Sequence, residues 1–435
     1  MTDLDDIHPT RNIFTQVLNV LASVRITVVL LTLGLLLVFV GTLAQTKLGV
    51  WVVIHDYFRS LVVWVPMNMF PDLIEPSDAR QYDEGNFFPM PGGFTILALL
   101  CVNLFASLLK IIIRDVRLGK RRWLSHVGVY TIHVGLVVMF GGEFITGLYA
   151  TESQMAVRVG ESSSYAEDVR VTELAFVRVT DTGQEEHLVI PQAMLVKHAG
   201  HQGDGQVIHS PELPVDVHVQ RFMVNSLLEQ DLQPTGFIGA GQGVKATPLP
   251  PISGSDVNKI NYPSIVVTLL DKQNGELLGQ WLCSTMSQST IIFKYQGRPA
   301  PGIFLPQPLD LPGESVTMHL RYARRYLPYA VALDDLDHDV YEGTRQARNY
   351  SSDVRMLDPK TGSEVSAHIK MNHPMRYQGD TYYQQQMMAQ LNVSVFQVVN
   401  NPGAWLPYIS CAIVTLGLIL QFTMSLTKFT RRASR

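Results

Sequence analysis

Four apolar runs of about twenty residues constrain this chain more than any other feature. A bilayer core about 30 Å thick is crossed by about 20 apolar residues in a helix, because backbone groups in hydrocarbon must bond to one another. Ile26–Ala44 carries no charge, and Phe94–Ile113 carries Lys110 near its end, where a long side chain reaches the interface. Val127–Ile145 and Trp405–Leu426 complete the set. The predicted spans are therefore 26–45, 93–113, 126–147 and 404–426. None has the short apolar region and small-residue cleavage site of a secretory signal. Only 17 % of the 435 residues are charged, against about a quarter in average soluble domains, as expected of a chain partly in lipid.

Basic residues orient the spans. Arg114, Arg117, Lys120, Arg121 and Arg122 fill the 114–125 connector, and Lys428, Arg431, Arg432 and Arg435 fill the 427–435 tail. Both segments, with 1–25, are predicted cytoplasmic, so both termini lie inside and the 46–92 loop and the 148–403 segment lie outside. Val50–Phe70 is apolar and aromatic, but Asp56 and Arg59 argue against a fifth span. An amphipathic helix in the outer interface is predicted there. The prolines from Pro66 to Pro91 then predict irregular chain up to Gly92-Gly93.

Residues 148–403 read as β-rich. Val215–Gln220 and Val316–Leu320 alternate, Asn274-Gly275 punctuates Ser264–Cys283, and Asp358–Gly362 punctuates Asp353–Met371, which are hairpin signals. The expected fold class is an α+β membrane protein. Four transmembrane helices carry a large β-rich extracytoplasmic domain, a sandwich or open barrel, inserted between spans three and four. The interval Gln230–Lys259, rich in Gly, Pro and Ser, is expected to be a loop or a boundary between two lobes. A net charge of −4 lacks the basic footprint of a nucleic-acid binder. Cys101, Cys283 and Cys411 form no disulfide framework or Cys-x-x-Cys motif, and Cys283 is expected to be a small buried apolar residue.

Two histidines carry the candidate chemistry. His126 and His133 stand seven residues apart, two helical turns, on one face and about 10 Å apart along the axis. An ionisable group in hydrocarbon is a functional hypothesis by default, and neutral imidazole is a common ligand of haem iron. The competing reading is interhelical hydrogen bonding to Asn103, Ser107 or Thr131. Glu143 and Arg25 are expected to mark span boundaries. His198, His201 and His209 make a weak metal pattern among glycines that favour a loop. The glycines of 236–243 are followed by Thr247-Pro248 rather than a helix, which rejects a nucleotide loop.

Several segments carry a family resemblance in a fixed order. They are Tyr57-Phe58-Arg59-Ser60, Phe88-Pro-Met-Pro-Gly-Gly93, Asn103-Leu104, His126 through Ile132-His133-Val-Gly-Leu136 to Gly142-Glu143, and Met155 through Val159-Gly160-Glu161. Met371-Asn-His-Pro374, Tyr377–Gln384 and Asn401-Pro402-Gly403 follow. Together they resemble the ResB (CcsB-like) family of system II cytochrome c biogenesis proteins. The resemblance implies a subunit of the bacterial cytoplasmic membrane that works with a CcsA/ResC-like WWD-domain partner. Such a pair delivers haem b across the membrane for attachment to apocytochrome c. It implies a transmembrane histidine as haem ligand, with His133 the best fit and His126 the alternative. No WWD segment is present, so this half of the synthase is expected to be non-catalytic. A structural subunit that keeps the fold without haem, and an outer-face binding module on four helices, are the rival readings.

Overall fold

A computed structural model describes residues 13–73, 86–118, 124, 126–180, 182–200, 205–230, 236–252, 261–286, 306–311, 314–343, 347–388 and 391–433. These residues form two compact units. One holds the helices up to Ala150 and from Asn401 onward, the other the strands from Thr151 to Asn400.

The helical unit contains α1 (Ile13–Leu21), α2 (Val24–Leu48), α3 (Val50–Val53), α4 (Gly93–Arg117), α5 (Val127–Tyr149) and, after the strands in chain order, α7 (Leu406–Ala433). Four of its helical segments are long and apolar enough to cross a membrane. At about 1.5 Å per residue, the 25 residues of α2 and of α4 exceed the hydrocarbon core. The break between α1 and α2 leaves the Leu21 carbonyl at the end of α1 beyond the intrahelical ladder. Asn103, buried on α4, bridges the break: its Nδ2 donates to Leu21 O and Ser23 O at 2.6 and 3.1 Å, and Thr27 Oγ1 donates to its Oδ1 at 2.6 Å. Asn103 therefore braces α1, α2 and α4 and is bonded to neither histidine.

The predicted interfacial helix over Val50–Phe70 ends early. After α3, one π-helical turn runs over Ile54–Phe58, then β1 (Val62–Pro66) pairs antiparallel with β2 (Phe87–Pro91). Short β-branched alternation around Val62, Val63 and Val65 favours a strand, and the prolines of β2 sit in a two-stranded ribbon where edge positions tolerate a missing N–H. The hairpin's inner residues Val63, Val65 and Met90 pack with Leu37, Val40 and Tyr57. Gly92 and Gly93 permit this crossing: a Cβ on either would stand 2.2 Å from Ser60 O or Phe58 O.

Glycine also sets the packing of α5 on α7. Gly128, Gly135 and Gly142 recur every seven residues and are buried. Cβ atoms there would meet Gln421 N at 2.6 Å, Val414 Cγ2 at 2.6 Å and Leu406 Cβ at 2.8 Å. Small residues let membrane helices approach closely. Gly128→Ala is expected to lower stability by about 1–3 kcal/mol through overpacking, whereas Gly141→Ala, with open space around its Cβ, leaves the thermal midpoint in detergent unchanged or slightly raised. Equal midpoints for the two variants would refute this packing.

The β unit is built on two long strands, β4 (Ser162–Val179) and β13 (Glu314–Val340), which pair antiparallel. They lie in a ten-stranded sheet with β3 (Thr151–Arg158), β5 (Glu185–Pro191), β12 (Gln307–Leu311), β14 (Ala347–Asp358), β15 (Ser363–Lys370), β16 (Met375–Tyr377), β17 (Asp380–Met388) and β18 (Val393–Asn400). A four-stranded sheet of β6 (Val207–Ile208), β7 (Asp216–Met223), β10 (Ser264–Leu270) and β11 (Leu277–Ser284) covers one end. There Phe176, Met318 and Leu320 meet Val217, Ile265 and Trp281, with Cys283 buried among them. Burial pushes that thiol up to about 12, which makes it inert. At the other end the large sheet curls over Met155, Tyr329, Val331, Met356, Tyr382 and Phe396. Sandwich and open-barrel features thus coexist. Both hairpins read from the sequence form, at β10–β11 and β14–β15. The lobes are not divided at Gln230–Lys259, because β4 and β13 run through both cores. In the described part of that interval β9 (Val244–Pro248) pairs with β8 (Ser226–Gln230), which ends where the interval begins, and 231–235 and 253–260 lie outside the described residues.

Candidate functional site

The face of α5 that carries the histidines is fixed by its glycines. At about 100° per residue, His126 and His133 lie about 200° from Gly128 and Gly135, opposite the face packed on α7. The same stripe holds Tyr130 and Phe144, and it meets α4. Phe144 stacks on Phe94 with centroids 5.4 Å apart, while at the other end His126 and Tyr130 reach Asp115 of α4. His133 stands on this stripe between those contacts.

His133 is half-buried, and its Nδ1 lies 2.8 Å from Val129 O. A carbonyl only accepts, so Nδ1 carries the proton and Nε2 keeps its lone pair. A hydrogen bond from the far ring nitrogen to a carbonyl fixes the orientation and tautomer of a metal-ligating imidazole. No hydrogen bond to Asn103, Ser107 or Thr131 engages the ring among the described residues. The donor chemistry therefore fits a haem-iron ligand acting through Nε2.

His126 sits in a different environment. It precedes the first residue of α5, and its Nδ1 lies 2.7 Å from Asp115 Oδ2. Tyr130 Oη donates to the same oxygen at 2.6 Å, and Arg114 Nε donates to Oδ1 at 3.1 Å. Asp115 has no exposed surface. A carboxylate with three donors around it is satisfied as buried charge must be, and it ties α4 to α5. Asp115 is not among the candidate residues read from the sequence. Its signal was an acid closing an apolar run one short connector before His126. The two imidazoles are about 10 Å apart along one helix, too far to share one iron.

Glu143 and Arg25 are exposed. His198 ends a short helix, α6 (Gln192–His198), with Nδ1 bonded to Met194 O at 2.8 Å, and His209 Nδ1 lies 2.7 Å from Asp216 Oδ2. His201 lies outside the described residues. The structure thus does not bring His198 and His209 together, and no group of three or more metal-type ligands exists among the described residues.

The β unit contains two buried charged clusters, neither of which was anticipated. Arg325 clamps Asp380 through both terminal nitrogens at 3.1 and 3.2 Å. Tyr329 Oη and Asn400 Nδ2 donate to the same carboxylate at 2.9 Å each, and Tyr329 and Tyr382 share a 2.8 Å bond. Burial, with Asp380 nearby, raises both phenols. The cluster explains the motif Tyr377–Gln384. Gln378 and Gly379 both have positive φ (47° and 89°) between paired Tyr377 and Asp380, as a two-residue type I′ hairpin requires. Asp380, Tyr382 and the turn therefore act as one unit.

The second cluster is on β13. Arg321, 2 % exposed, donates to Glu173 Oε1 at 2.9 Å, and Arg324 stacks 4.0 Å over Tyr165 and donates to Glu167. His319 beside them is depressed to about 3 by burial, then by Arg321 and Arg324. An unfolded imidazole protonates near 6.5. Between pH 6.5 and 3 the unfolded state therefore binds the extra proton, and stability falls as pH falls through that window. The expected slope is about 1.4 kcal/mol per pH unit for this group. His319→Gln flattens the acid limb of a denaturation series; an unchanged limb would contradict the assignment.

These strands are where the chain matches known proteins. The ResB-like family model matches residues 311–395, which covers β13 through β17 and the Arg325–Asp380–Tyr382 cluster. The chain carries a ResB-like segment. Beside four described helices long and apolar enough to cross a membrane, the match bears out, over that segment, the resemblance read from the sequence. It suggests a role in cytochrome c biogenesis. No curated protein matches the chain. The matched ResB-like segment excludes α5, so His126 and His133 stand on their own geometry.

Proposed function

We propose that this chain is the ResB-like subunit of a system II cytochrome c synthase. It carries haem b through the membrane and presents it for attachment to apocytochrome c beside a CcsA/ResC-like WWD-domain partner. The observation that carries the reading is His133 on a spanning helix, with Nδ1 committed to Val129 O and Nε2 left as a basic donor. Haem is cargo here. His133 would hold its iron through Nε2, whose lone pair is kept because Nδ1 donates to Val129 O. His126, oriented by Asp115, is the second position able to take iron.

The proposed placement is the bacterial cytoplasmic membrane, with both termini inside and the β unit on the periplasmic side. Basic residues in the 114–125 connector and the 427–435 tail support that orientation. The chain order, with α5 ending at Tyr149 and α7 beginning at Leu406, supports a β unit inserted between spans three and four. This unit serves as a docking surface, and covalent attachment belongs to the partner. Deleting the chain is expected to abolish haem-stained c-type cytochromes while leaving b-type cytochromes intact. Normal c-type levels would favour a structural subunit instead.

A further inference from the structure

The helical unit contains a second feature that haem handling does not use. A half-open cavity of about 360 Å³ lies between the end of α2 and the β1–β2 hairpin. Leu48, Val62, Trp64 and Phe87 wall it, and Arg59 contributes the cation. Asp56, also at the cavity, is occupied by His55 at 2.7 Å. Arg59 is exposed, and its side chain makes no hydrogen bond or ion pair with another described residue.

The outer face of the hairpin is apolar. Its inner residues are in the core, so alternation should place polar groups outside if that face met water. Instead Val62 is 52 % exposed, Trp64 63 % and Phe87 41 %. Leu48 is the last residue of a helix long enough to cross a bilayer and reach beyond its hydrocarbon. The cavity thus continues the lipid-facing surface of α2 at headgroup depth, where tryptophan concentrates.

We infer that this cavity binds a membrane phospholipid, with the phosphate on Arg59 and the first stretch of acyl chain against Leu48, Val62, Trp64 and Phe87. A guanidinium suits phosphate oxygens because its N–H donors form a planar fork. At the lower end of ligand-pocket sizes, the cavity takes part of a lipid rather than all of it. The reading accounts for Tyr57-Phe58-Arg59-Ser60 and Gly92-Gly93 together, since the glycines let the 58–60 backbone cross the start of α4 and so place Arg59 beside the hairpin.

Native mass spectrometry of the full chain in detergent, titrated with palmitoyl-oleoyl phosphatidylglycerol, tests this. One lipid should survive on the wild type and on Arg59→Lys, with apparent affinity falling about tenfold in Arg59→Gln, the loss of one charged hydrogen-bonding group. In nanodiscs of dibrominated phosphatidylglycerol, the fluorescence difference between wild type and Trp64→Phe should be quenched. Equal retention by Arg59→Gln, an unquenched Trp64, or haem in place of lipid in this cavity would each overturn the inference.

Discussion

Asp380→Ala should be among the most damaging single changes in the β unit, costing about 3–5 kcal/mol. The carboxylate is 3 % exposed and receives Arg325, Tyr329 and Asn400. Its removal leaves a half-buried guanidinium whose Nε already lacks a partner and orphans the buried phenol pair. Tyr382→Phe, which removes one hydroxyl and keeps the ring, should cost only about 1 kcal/mol. Chemical denaturation of the intact chain, followed by the β-sheet signal, compares the two. A loss for Asp380→Ala no larger than that for Tyr382→Phe would mean that the cluster is not what holds β13 to β17.

Asp115→Ala should produce the largest loss in the helical unit, about 3 kcal/mol. Three donors converge on this carboxylate from α4 and α5, and removing it takes away the shared buried acceptor that ties the two helices. Asp115→Asn keeps an acceptor oxygen and should lose less than half as much. The check is the thermal midpoint in detergent together with α4–α5 crosslinking between introduced cysteines. A midpoint equal to wild type in Asp115→Ala would show that His126 is placed by helix packing alone.

Much of this molecule is legible in its sequence because the strongest signals are local. Apolar runs of bilayer length give the four long helices, and turn chemistry at Asn274-Gly275 and Asp358–Gly362 gives two hairpins whose register follows. The misreadings share a physical cause. Val50–Phe70 has helical composition, but the close approach allowed by Gly92 and Gly93 gives Val62–Pro66 a strand partner more than twenty residues away. Gln230–Lys259 has loop composition, but β9 within it pairs with β8, the strand that ends where the interval begins. The charged clusters bring together residues up to 157 positions apart, and no periodicity reports such a meeting. The histidine spacing was visible, whereas the tautomer of His133 and the carboxylate behind His126 required the fold.

If the His133 ring offers Nε2 to a haem iron, haem retention depends on that ring. The most direct measurement is the Soret spectrum and haem content of the chain purified with its WWD-domain partner, for the wild type, His133→Ala and His126→Ala, each checked for unchanged folding. His133→Ala is expected to lose most of the haem or to shift its Soret band, and exogenous imidazole to restore it. A His133→Ala complex with wild-type haem content and an unmoved band would contradict that ligation.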